Sequence, residues 1–252
     1  MCFLWPADQQ RWPLVSTHEL DNDEQLNILL RGEISVAMRM PYSSNSTYLV
    51  SVSLDDKSIQ AIYKPMRGER PLWDFKPGLH RREVAAYRLS EAMGLGCVPA
   101  TVLRDGPSGE GSVQLLIEAD SDEHYFTIFE QHQDLHDQFR AMCVFDILAN
   151  NTDRKSGHVL VDKNSHVWGI DHGLCFATDF KLRTVIWEFG SEDIGESLLA
   201  KIEPLTQTVP LEVATLLSEQ EVFAITERAK WLFDCARFPV DPSGRHYPWP
   251  LV

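Results

Sequence analysis

Lys64, Glu83, Asp153 and Asp171 are the residues whose types, order and surroundings point to chemistry. Lys64 ends "IQAIYK", an apolar run with strand character, and Glu83 follows in "HRREVAAYR", a helix-like stretch. Asp153 comes directly after the helical pattern that closes on "DILANNT", and Asp171 ends "VWGID". The two aspartates are joined by what reads as a β-hairpin, "HVLVD" and "VWGID" around the turn "KNS", which would fix their separation. Phosphoryl transfer asks for little more: a cation for the phosphates, a carboxylate for a divalent metal, and another carboxylate to orient the nucleophile. Lys64 would reach across its sheet towards phosphates, with Glu83 pairing to hold it. Asp153 would be a base on a loop held by a rigid scaffold, and Asp171 the metal ligand, with Gly173 behind it permitting an unusual turn. Each residue has a plainer reading. Lys64 would be a solvated strand lysine, Glu83 half of a surface ion pair, Asp153 a turn or capping residue, and Asp171-His172-Gly173 a simple turn. The ordered set favours chemistry.

The elements that must position these residues follow from periodicity. "STHELDNDEQLNILLRG" reads as a short helix capped by Ser16 or Thr17 and stopped by Gly32. Ile34, Val36, Met38 and Met40 alternate as one face of a strand, and "YLVSVSL" and "IQAIYK" supply two more. "HRREVAAYRLSEAMG" has helical spacing, and "CVPATVLRD" and "SVQLLIEA" flank the glycine-rich turn "DGPSGEG". Residues 32–119 therefore predict a five-stranded antiparallel sheet with one helix between strands three and four. "EADSDEH" reads as a solvated acidic connector, and "DLHDQFRAMCVFDILAN" as a helix before the hairpin. "PLEVATLLSEQ" and "EVFAITERAKWLFDCARF" complete a mainly helical second half. The expected class is α+β, with residues 16–119 as one lobe and 120–252 as the other.

The 252 residues carry 44% hydrophobic side chains, enough for a sizeable core. A formal charge of −14 argues against general nucleic-acid binding. The five cysteines, Cys2, Cys97, Cys143, Cys175 and Cys235, show no CxxC spacing and suit buried thiols in a reducing compartment. "MCFLWPADQQRWPLV" lacks a basic leader region, and no stretch approaches membrane-spanning length, so a cytoplasmic protein is expected. His132 and His136 lie four apart, but "HQDLH" lacks the glutamate of a zinc protease. The basic run "YKPMRGERPLWDFKPGLHRR" has two even readings, a binding surface for an anionic ligand or a solvated loop.

The order strand-Lys, helix-Glu, loop-Asp-Arg, strand-Asp-x-Gly resembles the protein-kinase-like superfamily. "NNTDR…WGIDHGLCF" looks most like its phosphatidylinositol 3-/4-kinase branch, especially the type II 4-kinases. The whole chain is similar to a bacterial phosphatidylinositol-kinase-related family. "SSNSTYLV", "YKPMRGERPLWDF", "RREVAAYRLSEAMG" and "VPATVLRDGPSGEGSVQL" carry that likeness alongside the aspartate motif. The resemblance implies a bilobal protein-kinase-like fold that uses ATP with Mg²⁺, or Mn²⁺. Lys64 would bind the α/β-phosphates and pair with Glu83, Asp153 would be the catalytic aspartate, and Asp171 the metal ligand. Ser43, Ser44, Asn45 and Ser46 would form the turn over the phosphates, through backbone N–H groups because there is no GxGxxG. Leu115, Leu116, Ile117 and Glu118 would be the hinge beside the adenine. His158 stands where related kinases carry a metal-binding asparagine, and imidazole is a poorer ligand for Mg²⁺.

The implied reaction is transfer of the γ-phosphate to a hydroxyl of a lipid, protein or small molecule, with no nucleic-acid partner and no integral membrane segment. Two rivals stand beside it. One is a weak or inactive nucleotide-binding pseudokinase acting through partners, motivated by His158. The other is adenylate transfer, with ATP bound in the reverse orientation.

Overall fold

The computed structural model describes residues 20–40, 45–120 and 122–251. The first helix, α1 (Asn22–Arg31), is capped by Asp21, whose carboxylate accepts from the Glu24 N–H at 2.8 Å. Ser16 and Thr17, the caps expected from sequence, lie outside the described residues. Five antiparallel strands follow: β1 (Glu33–Arg39), β2 (Tyr48–Leu54), β3 (Lys57–Pro65), β4 (Thr101–Gly106) and β5 (Gly109–Leu115). Their spatial order is β1-β2-β3-β5-β4, with α2 (Leu79–Ala92) between β3 and β4 in the chain. The period-2 rule sets the faces of β3. Ile59, Ala61 and Tyr63 are fully buried in the core, whereas Ile62 and Lys64 line the cleft on the other side. β1 departs from expectation. Val36, Met38 and Met40 are exposed, because β1 is an edge strand with an irregular register between Val36 and Met38; Met40 faces the cleft.

The start of α2 is capped from a distance. Gly78 at its N-cap has φ 110° and no side chain, so the free N–H groups there need another acceptor. Glu69 supplies it, accepting from the N–H groups of Gly78 at 2.8 Å and His80 at 2.9 Å, with His80 Nδ1 at 2.6 Å. Burial would raise the Glu69 carboxyl, but the bonds from His80 and the backbone outweigh it and hold the pKa at about 2. Glu69→Gln is therefore expected to cost about 2 kcal/mol at neutral pH, the range for hydrogen bonds to a charged group. Because the folded pKa lies below the ordinary 4.5, that contribution is full above 4.5 and fades as pH falls towards 2. Urea unfolding of both proteins at pH 7 and pH 3 checks this, and an equal gap at the two values would refute the cap.

The second half is mainly helical: α3 (Tyr125–Gln131), α4 (His136–Ala149), the hairpin β6 (Val159–Val161) and β7 (Val167–Gly169), then α5 (Glu196–Ile202), α6 (Leu211–Ala214) and α7 (Glu219–Cys235). α4 is buried along most of its length and forms the centre of this lobe. "PLEVATLLSEQ" is not one helix. It stops at Ala214, and Ser218 opens α7 with a capping box to Glu221. The His136 ring stacks on Phe129 at 4.1 Å, and its Nε2 bonds the Phe129 carbonyl. The basic run divides by role. Arg82 is buried against Glu221 of α7 and ties the lobes, Arg81 pairs with Glu110, and Arg70 lines the cleft. Cys97, Cys143 and Cys175 are buried free thiols. No helix among the described residues is long and apolar enough to cross a membrane.

Candidate active site

A cavity of about 550 Å³ opens between the sheet and the helical half. Its lining includes Lys64, Glu83, Asp153 and Asp171, so the four residues separated in sequence converge on one space. Lys64 Nζ bridges two carboxylates: it pairs with Glu83 Oε1 and lies 2.7 Å from Asp171 Oδ1. Glu83 is almost wholly buried, and its second oxygen accepts from the His172 N–H at 2.9 Å. One carboxylate on the sheet's helix thereby holds both the strand lysine and the segment that carries Asp171. Asp171 itself has φ 60°, a left-handed conformation that costs energy for a side chain bearing a Cβ. The expected role of Gly173 changes accordingly. It keeps an ordinary φ, and its lack of a side chain admits Glu83, whose Oε1 would sit 3.3 Å from an added Cβ.

The Asp153 loop is built by its neighbours. Asn150 closes α4 in the left-handed region and donates to the Ala177 and Asp179 carbonyls. Asn151 Oδ1 accepts from the Asp153 N–H at 3.0 Å, while its amide donates to Asp146. Thr152 bonds the Leu174 carbonyl through its hydroxyl. Arg154 points away from the cleft and is completely buried. Its guanidinium grips Asp146 at 2.9 Å, the carbonyls of His158 and Ile170, and His172 Nε2 at 2.7 Å. A guanidinium only donates, so His172 Nε2 accepts and the ring is neutral; burial, then the Arg154 charge, holds its pKa well below the ordinary value. The strained Asp171 segment and the Asp153 loop thus share one buried fastener.

A scan against protein-family models matches residues 81–213, just over half the chain, to "Phosphatidylinositol 3- and 4-kinase". Protein Rv2133c of Mycobacterium tuberculosis (strain ATCC 25618 / H37Rv) is 34% identical over 265 residues, covering 90% of this chain and 95% of that protein. The chain belongs to the phosphatidylinositol 3- and 4-kinase family. Among solved structures, hydra Fam20 with sugar aligns at a TM-score of 0.58 and 14% identity, over 88% of this chain and 89% of that one. The Helicobacter pylori proinflammatory kinase CtkA is a looser match, with a TM-score of 0.48 and 12% identity over 83% and 94% of the two chains. The fold is α+β and protein-kinase-like. Lys64 lies outside the segment that matches the phosphatidylinositol 3- and 4-kinase model, so its part in the site rests on its contacts with Glu83 and Asp171.

Electrostatics separate the carboxylates. Lys64 pulls Asp171 well below the usual range, more than offsetting burial. Burial raises Asp153, with Lys155 opposing. Burial also raises Glu83, against the pull of Lys64. Lys64 is held above its ordinary value, since Asp171 and Glu83 together outweigh burial. His158 sits between the aspartates: its Nδ1 is 2.9 Å from the Asp153 carbonyl oxygen and its Nε2 is 3.6 Å from Asp171 Oδ2. Burial lowers its pKa, partly opposed by Asp171, which favours the neutral ring.

The remaining expected residues divide. Asn45, Ser46, Leu115, Leu116 and Ile117 line the cleft, and Glu118 is not among its lining residues. Asn45 Oδ1 accepts from the Arg70 N–H, and the Ser46 N–H donates to the Gly68 carbonyl, so these two fasten the turn to the loop after β3. Ser43 and Ser44 lie outside the described residues. Sequence reasoning missed Lys155, whose Nζ is 2.8 Å from Asp153 Oδ2. "TDRK" held the signal, a cation two residues after the aspartate. It missed Asp146 too, which reads as one polar position in an apolar helix. A larger groove of about 790 Å³ beside α7, lined by Phe180, Phe223 and Trp231, lies apart from this set and contains no lysine–carboxylate cluster.

Proposed function

We propose that the chain is an ATP-dependent phosphotransferase that moves the γ-phosphoryl group to a hydroxyl acceptor on a lipid, protein or small molecule, working in the cytoplasm. The observation that carries this reading is the bridge from Lys64 to Glu83 and Asp171 in the same cleft as Asp153. Lys64 would meet the α/β-phosphates. Ile62 on the sheet side, with Leu160 and Ile170 from the hairpin region, offers apolar surface suited to a purine ring between Leu115 and Ile117. Asp171 is half exposed, with Oδ1 on Lys64 and Oδ2 towards His158, a donor pair that fits a divalent cation arriving with the nucleotide. Mg²⁺ or Mn²⁺ held there would neutralise charge on the phosphates. Asp153 would orient the acceptor hydroxyl and take its proton while the new oxygen–phosphorus bond forms. The bond to the β-phosphate oxygen breaks, and ADP leaves. Burial raises the Asp153 carboxyl, and Lys155 would oppose that rise and favour the ionised form. Most of the rate would come from positioning and charge stabilisation.

Calorimetric titration with ATP tests the nucleotide site. Wild type should bind, and Glu83→Gln should bind about tenfold more weakly, equivalent to one charge-assisted hydrogen bond. A glutamine has one acceptor oxygen and cannot serve both Lys64 and the His172 N–H. A folded wild type with no affinity for ATP would end the phosphotransferase reading. His158 favours a second reading, a weak or inactive nucleotide-binding module acting through partners. ATP binding without any ADP release would select it.

A further inference from the structure

We propose that His158 makes the Asp171 cation site selective for Mn²⁺ over Mg²⁺, an inference that rests on the reading above that Asp171 holds the cation. The tautomer of His158 is fixed by geometry. Its Nδ1 lies 2.9 Å from the carbonyl oxygen of Asp153, and a carbonyl only accepts, so Nδ1 carries the proton. In the neutral ring the lone pair is therefore on Nε2. That atom lies 3.6 Å from Asp171 Oδ2, too far for a hydrogen bond. It is near the span of two ligands on one ion, which at about 2.1 Å each lie about 3 Å apart across a right angle.

Both partners are held in place. Lys64 occupies Oδ1 of Asp171 at 2.7 Å and leaves Oδ2 turned to the imidazole. The His158 side chain is only 16% exposed, and its backbone is clamped, the carbonyl accepting from Arg154 at 3.1 Å and from the Ile170 N–H at 3.0 Å. The described residues contain no group of three or more His, Cys, Asp or Glu able to hold a metal ion. One nitrogen and one carboxylate oxygen must therefore be completed by phosphate oxygens and water. That oxygen-rich set excludes ions that prefer several nitrogen or sulfur ligands, and of the ions that remain Mg²⁺ and Mn²⁺ are the two that accompany the phosphates in the reading above. Between them, Mg²⁺ demands near-ideal oxygen coordination, whereas a first-row transition ion accepts an imidazole.

The test is pulsed electron paramagnetic resonance on Mn²⁺ bound to the full chain with a non-hydrolysable ATP analogue. Mn²⁺ and Mg²⁺ dissociation constants are measured on the same complex. Wild type should show nitrogen coupling that changes on ¹⁵N-histidine labelling. His158→Asn and His158→Gln, checked for folding by circular dichroism, should lose it. The Mn²⁺-over-Mg²⁺ preference should fall at least about tenfold in both variants, the loss that follows removal of even an outer-shell partner of a metal ligand. Mn²⁺ bound in an Asp171-dependent way without nitrogen coupling would overturn the selectivity and leave the phosphotransferase reading standing. Mn²⁺ and analogue binding that is absent, or indifferent to Asp171→Asn, would overturn both.

Discussion

Asp153→Asn is expected to lower phosphoryl transfer by about 10²–10⁴-fold, the contribution of a positioned general base, while ATP affinity stays within about twofold. The loop explains why the loss should be confined to turnover. Asp153 is placed through its backbone, by the Asn151 side chain on its N–H and by His158 on its carbonyl. An asparagine of the same shape keeps those bonds and loses the basic oxygen together with its ion pair to Lys155. The groups proposed to meet the phosphates and their cation, Lys64 and Asp171, hold each other and Glu83 and make no bond to the Asp153 side chain. The pH profile adds a second readout. Burial raises the Asp153 carboxyl, so the acid limb of activity should begin above the pH at which an ordinary aspartate protonates. Lys155 opposes that rise, and Lys155→Met should move the limb further up in pH. Parallel loss of ATP binding in folded Asp153→Asn, or a limb that ignores Lys155, would contradict the assigned role.

Asp146→Ala should be the most destabilising single change at the site, costing about 3–5 kcal/mol. Arg154 is completely buried, and with Asp146 gone its positive charge would face only carbonyls and His172. Most of the cost is desolvation, since the charge stays buried after its partner is removed. For a chain of this size the loss corresponds to a fall in melting temperature of about 10 °C. Asn151 and Thr184, which also bond Asp146, would lose their acceptor as well. A double replacement, Asp146→Leu with Arg154→Met, should cost much less than the sum of the two single changes, because neither charge is then left alone. Additive losses in thermal melts would show that the pair is not coupled.

The elements nearest the chemistry were legible in the sequence because their patterns are local. The alternation of β2 and β3, the helical spacing of α2 and α4, and the turn between β6 and β7 each appear within a dozen residues. The order of lysine, glutamate and two aspartates then matched what phosphoryl transfer needs. What remained hidden depends on contacts distant in sequence. β1 has strand alternation, yet whether its apolar face is covered depends on which strand ends the sheet. α3 follows an acidic stretch and has His124 at its N-cap with Thr127 as the capping partner, a pair that no cap pattern anticipates. Arg154 reads as a surface cation beside Asp153, and only Asp146, eight residues back on a buried helix, turns it inwards. Gly173 reads as a flexible turn, whereas its smallness matters because Glu83 approaches from another lobe. Glu69 looks like a loop charge until α2 presents a glycine N-cap that needs an acceptor.

The proposed reaction splits ATP between its β- and γ-phosphates with Asp153 and Asp171 at its centre. The most direct test follows the fate of ATP labelled separately at the α- and γ-phosphorus, with wild type, Asp153→Asn and Asp171→Asn, in the presence of Mg²⁺ or Mn²⁺ and with or without phosphatidylinositol vesicles. Wild type is expected to form ADP that keeps the α label while the γ label passes to the acceptor or to water, and both variants are expected to abolish the split. Pyrophosphate release with the α label on an acceptor would instead mean adenylate transfer, and equal ADP formation by all three proteins would contradict the roles given to the aspartates.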